Sequence, residues 1–550
     1  MIVAVAVGQA QPAVAKNGIL NAASDAYVGL PNSSIAQGSI FTIYGTNLGP
    51  SSSPGLSFPL QTNLGGVSIK VTSGGTTVNA IPMSVGANQV SAVLPGNTPP
   101  GSATLTVTYN GQTSAAASFQ VVTNSFGVFT SNQAGSGPGI ITNTIYQVLG
   151  LTSALHPGDA AIIWGTGLGA SPGDDGSKPP TQTDLTSIPV SVYIGAQQAT
   201  VLYRGRSFFT GEDQINIKIP FGVLGCHVPV AVLIGNVVSN FATMPIAAAG
   251  TNVCSDPTGP TGSQLSGFAS NGNVAIGGVG LTRSTSTITL PVIGTQTTTS
   301  DGGSADFVKY NFQLLNLASN PFQTFTFGAC TVLTFRGSSA ATITDVIQPT
   351  FLDAGSAITV TGPNGTKQLP KQTTTANGQT LITYSASLGS NVSGQQLYLS
   401  PGSYTVSGPG GADVGAFSQN LTLPASLTWT NKGSISTINR AAGQQITWTG
   451  GDPNSNVVIT GYSLVLGTAK DGSDTIGAFF TCTAKDTDGQ FTIPAVVLLS
   501  LPASVANPLI PIPLGSLIVA NQIEVPMTIP RVDIAYVSFE ASESEGVTFQ

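Results

Sequence analysis

Few residues of this chain could do acid–base or nucleophilic chemistry. Its two histidines, His156 and His227, fall in one predicted domain, and the only Gly-x-Ser-x-Gly match, residues 169–173, lies in a Pro-rich loop and not in a strand-to-helix elbow. A serine hydrolase needs a histidine base within hydrogen-bond reach of its nucleophile, and that motif is one common way to present the serine. The acidic pairs, such as Glu212-Asp213, lie mainly in loops, where the capping of turns explains them. We therefore expect no catalytic residues and predict that the chain is not an enzyme.

Two short acidic segments contain the oxygen ligands that Ca²⁺ prefers. Asp471 and Asp474 lie in the first segment, and Asp486 and Asp488 lie in the second. Neither segment shows the full EF-hand pattern, and turn capping is the more frequent role of such residues. The sequence therefore predicts no obligatory cofactor. It leaves Ca²⁺ as an alternative, with these aspartates as its candidate ligands.

The three tryptophans are candidates for stacking on sugar rings, because an indole presents a broad apolar face. Trp164 lies in a strand-like segment that aligns with Tyr44, and we expect it to pack in a core. Trp429 and Trp448 are the predicted ligand-binding residues if the protein binds carbohydrate. The alternative for both is ordinary core packing.

The four cysteines show no Cys-x-x-Cys spacing, and the two histidines cannot complete a zinc site with them. An even number of cysteines in a chain with export features favours disulfides. Cys226 and Cys254 bracket a hairpin-like segment and form the natural local pair, which leaves Cys330 to pair with Cys482. Four buried free thiols are the alternative.

The chain is poor in charge throughout. Of its 550 residues, 16 are Lys or Arg and 23 are Asp or Glu, so that 7% are charged, against roughly 25% in an ordinary soluble domain. The net charge of −7 comes without basic runs, and nucleic-acid binding is not expected because it needs clustered cations. With 41% hydrophobic residues, the chain does not belong to the usual disordered class. Low charge also weakens repulsion between copies and favours self-association.

The elements that must position these residues are β-strands. Segments such as residues 39–44 (Ser-Ile-Phe-Thr-Ile-Tyr) alternate apolar and polar residues, as strands with one buried face do. The 67 glycines and 36 prolines separate such segments, and helical periodicity is nearly absent. Prolines interrupt the uncharged stretch between Asp488 and Glu524, so no transmembrane segment is expected. We predict an all-β fold of tandem immunoglobulin-like β-sandwich domains with almost no helix.

The first half of the chain contains a duplication. Residues 35–49, which end in Tyr-Gly-Thr-Asn-Leu-Gly, align with residues 155–169, which end in Trp-Gly-Thr-Gly-Leu-Gly. Further on, Asn88-Gln-Val aligns with Asp213-Gln-Ile. Each copy has roughly 100 residues, the size of an immunoglobulin-like domain.

These motifs resemble those of the IPT/TIG type of immunoglobulin-like domain. The resemblance is carried by the run from Gly38 to Gly49, by Asn88-Gln-Val, and by Gly101-Ser-Ala-Thr-Leu-Thr-Val. Over about residues 20–250, the two copies look like a duplicated region of secreted soil-bacterial proteins. The resemblance implies an extracellular, non-catalytic β-module and points to no particular ligand.

The repeat and two linker-like segments suggest the domain boundaries. The apolar run at residues 2–7, followed by Ala13-Val14-Ala15, makes residues 1–15 either the remainder of a secretory signal peptide or an N-terminal strand. In the second half of the chain we place a domain boundary near residue 430. The alternative is that residues 263–550 form one composite unit. The predicted segments are sandwich 1 at 16–123, a linker at 124–153, sandwich 2 at 154–249, a linker at 250–262, a β-rich domain at 263–432 and a sandwich-like domain at 433–550.

Taken together, these features predict a non-catalytic extracellular or cell-surface protein with a structural or adhesive role. Its partner would be another copy of itself, in a surface matrix or filament. The alternative is a secreted carbohydrate-binding protein whose partner is a surface polysaccharide. In that case the second half of the chain would read the sugar, and the two repeats would act as spacers.

Overall fold

The computed structural model describes residues 10–173, 175–176, 182–257, 259–290, 294–318, 320–322, 326–337, 348–376, 378–392, 394–467, 474–504 and 513–550. The chain divides into two compact units. The first comprises Met1–Leu149, Leu155–Val223 and Val230–Met244, and the second comprises Gly150–Ala154, Leu224–Pro229 and Pro245–Gln550. Strands make up 54% of the described residues and helices 5%, which confirms the predicted all-β class.

The first repeat folds into a β-sandwich of short strands. Its strands are β1 (Ala13–Asn21), β2 (Ile35–Ala36), β3 (Ile40–Thr46), β4 (Asn63–Leu64), β5 (Val67–Ser73), β6 (Thr76–Val85), β7 (Gln89–Val93), β8 (Gly101–Tyr109), β9 (Gln112–Thr113) and β10 (Ala117–Val122). They are hydrogen-bonded in the order β1-β3-β7-β6-β5-β8-β10-β2, with β4 on β5 and β9 on β8.

Strand β6 links the two sheets of this sandwich. Its first half pairs with β5, and its second half, which begins at Ile81, pairs with β7. The apolar residues of both sheets meet in one core, which includes Phe41 and Ile69. Along β5 the side chains alternate between this core and the outside, so that Ile69 is buried and the next residue, Lys70, is exposed. The period-2 pattern of the sequence therefore marks the buried face of this strand.

The second repeat has the same order of strands. It is hydrogen-bonded in the order β11-β14-β17-β16-β15-β18-β20-β12, with β13 on β14 and β19 on β18. Strand for strand, this path repeats that of the first sandwich, so the duplication seen in the sequence is a duplication of the fold. The strands are β11 (Gly127–Val128), β12 (Gly137–Pro138), β13 (Ile141–Thr142), β14 (Ala160–Thr166), β15 (Val190–Ile194), β16 (Gln197–Arg206), β17 (Asp213–Lys218), β18 (Gly225–Ile234), β19 (Val237–Val238) and β20 (Ala242–Ile246).

Residues 124–153 differ from the predicted linker. The strands β11, β12 and β13 lie in this segment, and β11 and β13 pair with β14 while β12 pairs with β20. Strands β11 and β12 take the places that β1 and β2 occupy in the first sandwich. Residues 127–142 therefore complete the second sandwich. Their strands are too short to show a period in the sequence, because each has two residues.

The predicted Ala13-Val14-Ala15 cleavage pattern lies in a paired strand. Ala13 is opposite Thr46 and Val14 is opposite Gly45, across β1 and β3. The structure therefore places these residues in the first sandwich, as the N-terminal strand alternative predicts. The apolar run at residues 2–7 lies outside the described residues.

The second unit is built mainly from strands, several of them long. Three helices accompany them in the described part of the chain: α1 (Gly262–Asn271), α2 (Phe312–Leu315) and α3 (Ala495–Leu499). The strands are β21 (Asn273–Leu290), β22 (Gly294–Asn311), β23 (Cys330–Arg336), β24 (Thr350–Phe351), β25 (Ala357–Gly362), β26 (Gly365–Ala376), β27 (Gln379–Ser390), β28 (Gly402–Gly408), β29 (Phe417–Leu423), β30 (Leu427–Trp429), β31 (Thr437–Ile438), β32 (Gln444–Gly450), β33 (Asn456–Val465), β34 (Ile476–Lys485), β35 (Gln490–Ile493), β36 (Gly515–Met527) and β37 (Ile534–Phe549).

One 14-stranded sheet in this unit contains strands from both sides of residue 430. Strand β23 pairs with β34, and β21 pairs in parallel with β37, so segments before and after that position are hydrogen-bonded to each other. Strands β30, β32 and β35 form a separate small sheet. This continuity is what the composite alternative for residues 263–550 predicts.

The sequence pattern does not predict helix α1, because Gly262 and Gly267 weaken the helical signal. The helix begins at a capping box, in which Thr261 and Gln264 satisfy each other's backbone amides. Its buried side chains are those of Leu265 and Phe268. Capping and these two apolar anchors therefore hold a short helix that begins at the last residue of the predicted linker at 250–262.

Both predicted disulfides are present in the structure, and the described residues include no free cysteine. Cys226 pairs with Cys254, 28 positions later, in the cluster that contains the buried Leu265. Cys330 pairs with Cys482, 152 positions later, as direct cross-strand neighbours in β23 and β34. The second bond therefore ties together the two segments on either side of the predicted boundary near residue 430.

The loop lengths of the two disulfides predict unequal effects on stability. In the chain-entropy view, removing the bond that closes the shorter loop costs about 3.5 kcal/mol and removing the other about 5 kcal/mol. We expect the pair of changes Cys330→Ala and Cys482→Ala to lower the free energy of unfolding more than Cys226→Ala with Cys254→Ala. Urea unfolding of the two double variants measures the difference. An equal or smaller loss for the long loop would contradict this expectation.

Candidate functional site

A buried ion pair lies at the end of β16 in the second sandwich. The guanidinium of Arg206 donates from Nη1 to Asp213 Oδ1 at 2.5 Å and from Nη2 to the carbonyl of Gly169 at 3.0 Å. The other carboxylate oxygen of Asp213 accepts from the backbone amides of Gly167 and Leu168, both at 2.8 Å. The side chain of Arg206 is 1% exposed and that of Asp213 is fully buried. Each oxygen of the carboxylate therefore has a donor, as burial of a charge requires.

The charge state of Asp213 follows from its surroundings. Burial raises the pKa of its carboxyl to about 6, against the opposing effects of the guanidinium and the two backbone amides. The carboxylate is therefore still ionised at neutral pH. In the first sandwich, Asn88 takes the aligned position, so a carboxylate at this place is a feature of the second sandwich alone.

The first sandwich packs against this region. The amide of Ile40 donates to Thr166 Oγ1 at 2.8 Å, and that hydroxyl donates in turn to the carbonyl of Gly211 at 2.6 Å. The buried amide of Asn21 donates to the carbonyl of Ser125 at 3.1 Å. We call these contacts between the two sandwiches of the first unit the junction.

Two glycines allow the two sandwiches to approach each other closely at the junction. A Cβ on Gly38 would lie 2.8 Å from Nη2 of Arg206, and a Cβ on Gly211 would lie 2.7 Å from Ile40 Cγ1. Both glycines have positive φ, at +70° and +76°, which residues with a side chain rarely adopt. The buried arginine therefore lies directly beneath the backbone of the first sandwich.

A cleft of about 1020 Å³ opens between the two sandwiches, next to the junction. The first sandwich contributes residues from three segments, and the second contributes the loop after β14. Two hydrogen bonds join its sides: the amide of Gly96 donates to Asp175 Oδ2 at 2.8 Å, and the amide of Leu60 donates to the carbonyl of Gly176 at 2.6 Å. A concave feature of this volume is large enough for an organic ligand.

Aromatic side chains lie near this cleft. Phe58 precedes the lining residue Pro59 and packs edge-to-face on Phe209, with 6.4 Å between the ring centroids. Phe209 and its neighbour in the chain, Phe208, are both exposed. Clustered apolar side chains on a surface mark contact sites more often than scattered ones do.

Trp164 lies on the outer side of its strand and not in the core of the second sandwich. Its Nε1 donates to Thr142 Oγ1 at 3.0 Å, and its ring centroid lies 6.0 Å from that of Tyr146, which is 54% exposed. Cross-strand pairing puts Trp164 opposite Gln214, whereas the preceding Ile163 points to the other face and is buried. The expectation of a core position is wrong because alternation along the strand sends this side chain outward.

Trp429 and Trp448 are buried and cannot act as stacking surfaces for a sugar. They are 4% and 3% exposed and face each other across β30 and β32. The indole of Trp429 donates to Asn431 Oδ1 at 2.9 Å, and that of Trp448 donates to the carbonyl of Asp486 at 2.8 Å. The packing alternative therefore describes both residues, and the predicted ligand-binding role is corrected.

The two predicted acidic segments lie apart, so their described aspartates do not share one calcium site. Asp474 precedes β34 and Asp486 follows it, so the two lie at opposite ends of a ten-residue strand. Burial, together with the nearby Asp452 carboxylate, raises the pKa of Asp486, and Asp488 accepts from a backbone amide at 3.1 Å, which is the turn-capping role. Asp471 lies outside the described residues. Across the described ranges, no group of three or more His, Cys, Asp or Glu residues could hold a metal ion.

The two histidines lie in different environments. His156 Nδ1 is 3.0 Å from Asp159 Oδ2 in a turn that is partly exposed. His227 is buried, and neither of its ring nitrogens has a hydrogen-bond partner in the part of the chain that the structure describes. Burial lowers the pKa of His227, although the carboxylate of Asp256 opposes this effect. The first histidine is therefore a turn residue, and the second is a core residue.

Part of the chain matches a known protein family. Residues 29–121 match the family model described as the IPT/TIG domain. The predicted resemblance is thereby confirmed for the first sandwich. The match covers β2 to β10, and the second sandwich repeats their order of strands. Among the curated proteins, none matches the chain.

Several solved structures are similar to the chain at low identity. The tetra-tandem repeat in the extending region of a large adhesion protein is 14% identical and covers 98% of this chain and 99% of its own, with a TM-score of 0.13. SGBP-B from a complex xyloglucan utilization locus in Bacteroides uniformis is 10% identical and covers 68% and 86%, with a TM-score of 0.16. Domains 4–9 of the surface layer protein SbsC are 10% identical and cover 97% and 66%, with a TM-score of 0.13. At TM-scores this low, we draw no functional argument from the likeness.

The residues of the ion pair and the cleft are not evident from the sequence. Arg206 is one of 16 cationic residues and stands in no motif. Asp213 is visible in the alignment of the copies, where its replacement of Asn88 marks a change of chemistry at a repeated position. The polar residues of the cleft come from separate segments of both sandwiches, which only the fold brings together.

Removal of the buried cation tests its contribution to stability. The change Arg206→Met leaves the carboxylate of Asp213 buried without a counter-ion, which costs about 3 to 5 kcal/mol. The matched change Arg204→Met removes a partly exposed pair with Asp184, at 3.6 Å, and costs about 0 to 1 kcal/mol. Urea unfolding of both variants measures the two losses. Equal losses would show that burial of the first pair does not matter.

The buried His227 predicts a loss of stability in mild acid. Because its folded pKa is lowered, the folded state keeps the ring neutral while the unfolded state takes up a proton below about pH 6.5. Above that pH the ring is neutral in both states and its titration costs no stability. As the pH falls below it, the unfolded state gains protons and the free energy of unfolding decreases. We expect the change His227→Phe to flatten the fall in unfolding free energy between about pH 7 and pH 5 relative to the parent protein. Chemical denaturation across this range provides the comparison, and parallel curves would rule the effect out.

Proposed function

We propose that the protein is a non-catalytic extracellular protein with a structural or adhesive role. The observation that carries the proposal is the junction, which joins two IPT/TIG-like sandwiches through hydrogen bonds over a buried ion pair. The pair lies within the second sandwich, and salt screens a buried pair much less than an exposed one, so the surface beneath the junction keeps its support in a saline medium. A pair of sandwiches joined in this way suits a protein that bears load or holds a binding surface at a distance.

The disulfides support the extracellular part of this proposal. Both bonds are buried in the second unit, and structural disulfides persist in oxidising compartments. Across the described residues, no helix has the length and apolar character needed to cross a membrane. The low charge of the chain, 7% of its residues, supports contact between copies because like charges do not oppose it.

A second candidate function is carbohydrate binding, and the cleft between the sandwiches favours it. The second half of the chain, which is the predicted reader, has its two candidate tryptophans in core packing. The cleft instead lies in the first half, to which the sequence assigns a spacer role. In this version of the proposal, the two sandwiches themselves form the binding surface.

Self-association of the protein can be measured directly in solution. We expect the sedimentation coefficient of the full chain to rise with protein concentration. Because few charges are available to attract or repel, the rise should change little when NaCl is added. Sedimentation velocity at low and high salt measures both effects. A coefficient that stays at the monomer value at every concentration would contradict the self-associating version.

A further inference from the structure

We propose that the cleft between the two N-terminal sandwiches binds an uncharged polysaccharide. The proposal rests on the carbohydrate-binding candidate function and adds its site and the class of its ligand. Binding sites for small molecules have volumes of roughly 300 to 1,000 Å³, and this cleft measures about 1020 Å³. It is therefore large enough for more than one sugar ring, as recognition of a polymer requires.

The cleft has an apolar part. Leu60 and Ile81 are buried lining residues, and Pro59 and Pro95 line the cleft as well. Leu60, Ile81 and the neighbouring Val93 belong to one hydrophobic cluster, which fixes their positions. A sugar ring has one face made mainly of C–H groups, and burial of that face on apolar side chains is favourable.

The remaining side chains offer hydroxyl and amide groups. Thr62, Thr77, Asn79, Asn97 and Ser171 line the cleft. Asn79 and Asn97 are exposed, and their amides make no hydrogen bond to the rest of the described structure. An amide can donate and accept at once, which matches the vicinal hydroxyls of a sugar. These two amides are thus available to a ligand, since the fold does not use them.

The charges around the cleft argue against an ionic ligand. Among the described lining residues, Asp175 is the only one with a charge, and its Oδ2 already accepts from the amide of Gly96. Lys70 is the cross-strand partner of Asn79 but does not line the cleft. Among these described lining residues, an acidic polymer would meet the Asp175 carboxylate and no cation. Uncharged chains are the ligands that this surface fits.

The test uses affinity electrophoresis of the full chain through gels that contain neutral glucans, galactans or mannans, with a sulfated glucan as a charged comparison. We expect at least one neutral polymer to retard the parent protein. The variant with Asn79→Ala and Asn97→Ala should lose about tenfold or more of that affinity, since each amide supplies hydrogen bonds to the sugar. The control variant, Gln112→Ala with Gln120→Ala, removes two exposed amides outside the cleft and should bind like the parent.

The outcomes separate the site from the function. If no polymer retards the parent, the carbohydrate-binding function itself fails. If a polymer retards the parent and the Asn79 and Asn97 variant equally, the function stands and the cleft is the wrong site. Loss of binding on Tyr146→Ala, with the cleft variant unaffected, would overturn the cleft in favour of the surface around Trp164. Retardation by the sulfated polymer alone would overturn the assignment of an uncharged ligand.

Discussion

The structure of the first unit depends on the burial of one charge pair. Arg206 and Asp213 are removed from water beside the junction, and this is tolerable only because the carboxylate has three donors and the guanidinium reaches a carbonyl as well. The loop after β14 supplies two of those donors, so the pair also fixes the start of the loop that forms one side of the cleft. Gly38 then lets the first sandwich lie directly over the arginine. The ion pair therefore holds the loop in place, and the loop in turn forms one side of the cleft.

The scarcity of charge elsewhere is consistent with this arrangement. A protein with 7% charged residues exposes mainly hydroxyls, amides and small residues on its sheets. Such surfaces hydrogen-bond to water without creating strong fields, and they suit contacts with neutral partners. Asn79 and Asn97 show this chemistry at the cleft. Buried carboxylates hold structural positions instead: Asp301, in the second unit, accepts from Arg283 and from two backbone amides.

Much of the fold can be predicted from the sequence, because strands and repeats leave local patterns. The alignment of residues 35–49 with 155–169 predicts two sandwiches with one strand order, and the cysteine positions predict both disulfides. Site residues are harder to predict, since their roles depend on which face of a strand is covered. Trp429 and Trp448 meet each other across two strands and are buried, whereas Trp164 packs beside an exposed tyrosine. Periodicity alone does not distinguish these faces, and it does not show that distant segments share a cleft.

The contacts over the buried pair imply that the two N-terminal sandwiches form one body. A distance measured by pulsed electron spin resonance tests it most directly, with spin labels at Thr104→Cys and Gln198→Cys of the full chain, one on each sandwich and both exposed. The native cysteines are all in disulfides in the described structure, so the labels are specific. We expect a single narrow distance distribution that broadens when Arg206→Met is added. A broad distribution in the parent protein would contradict it.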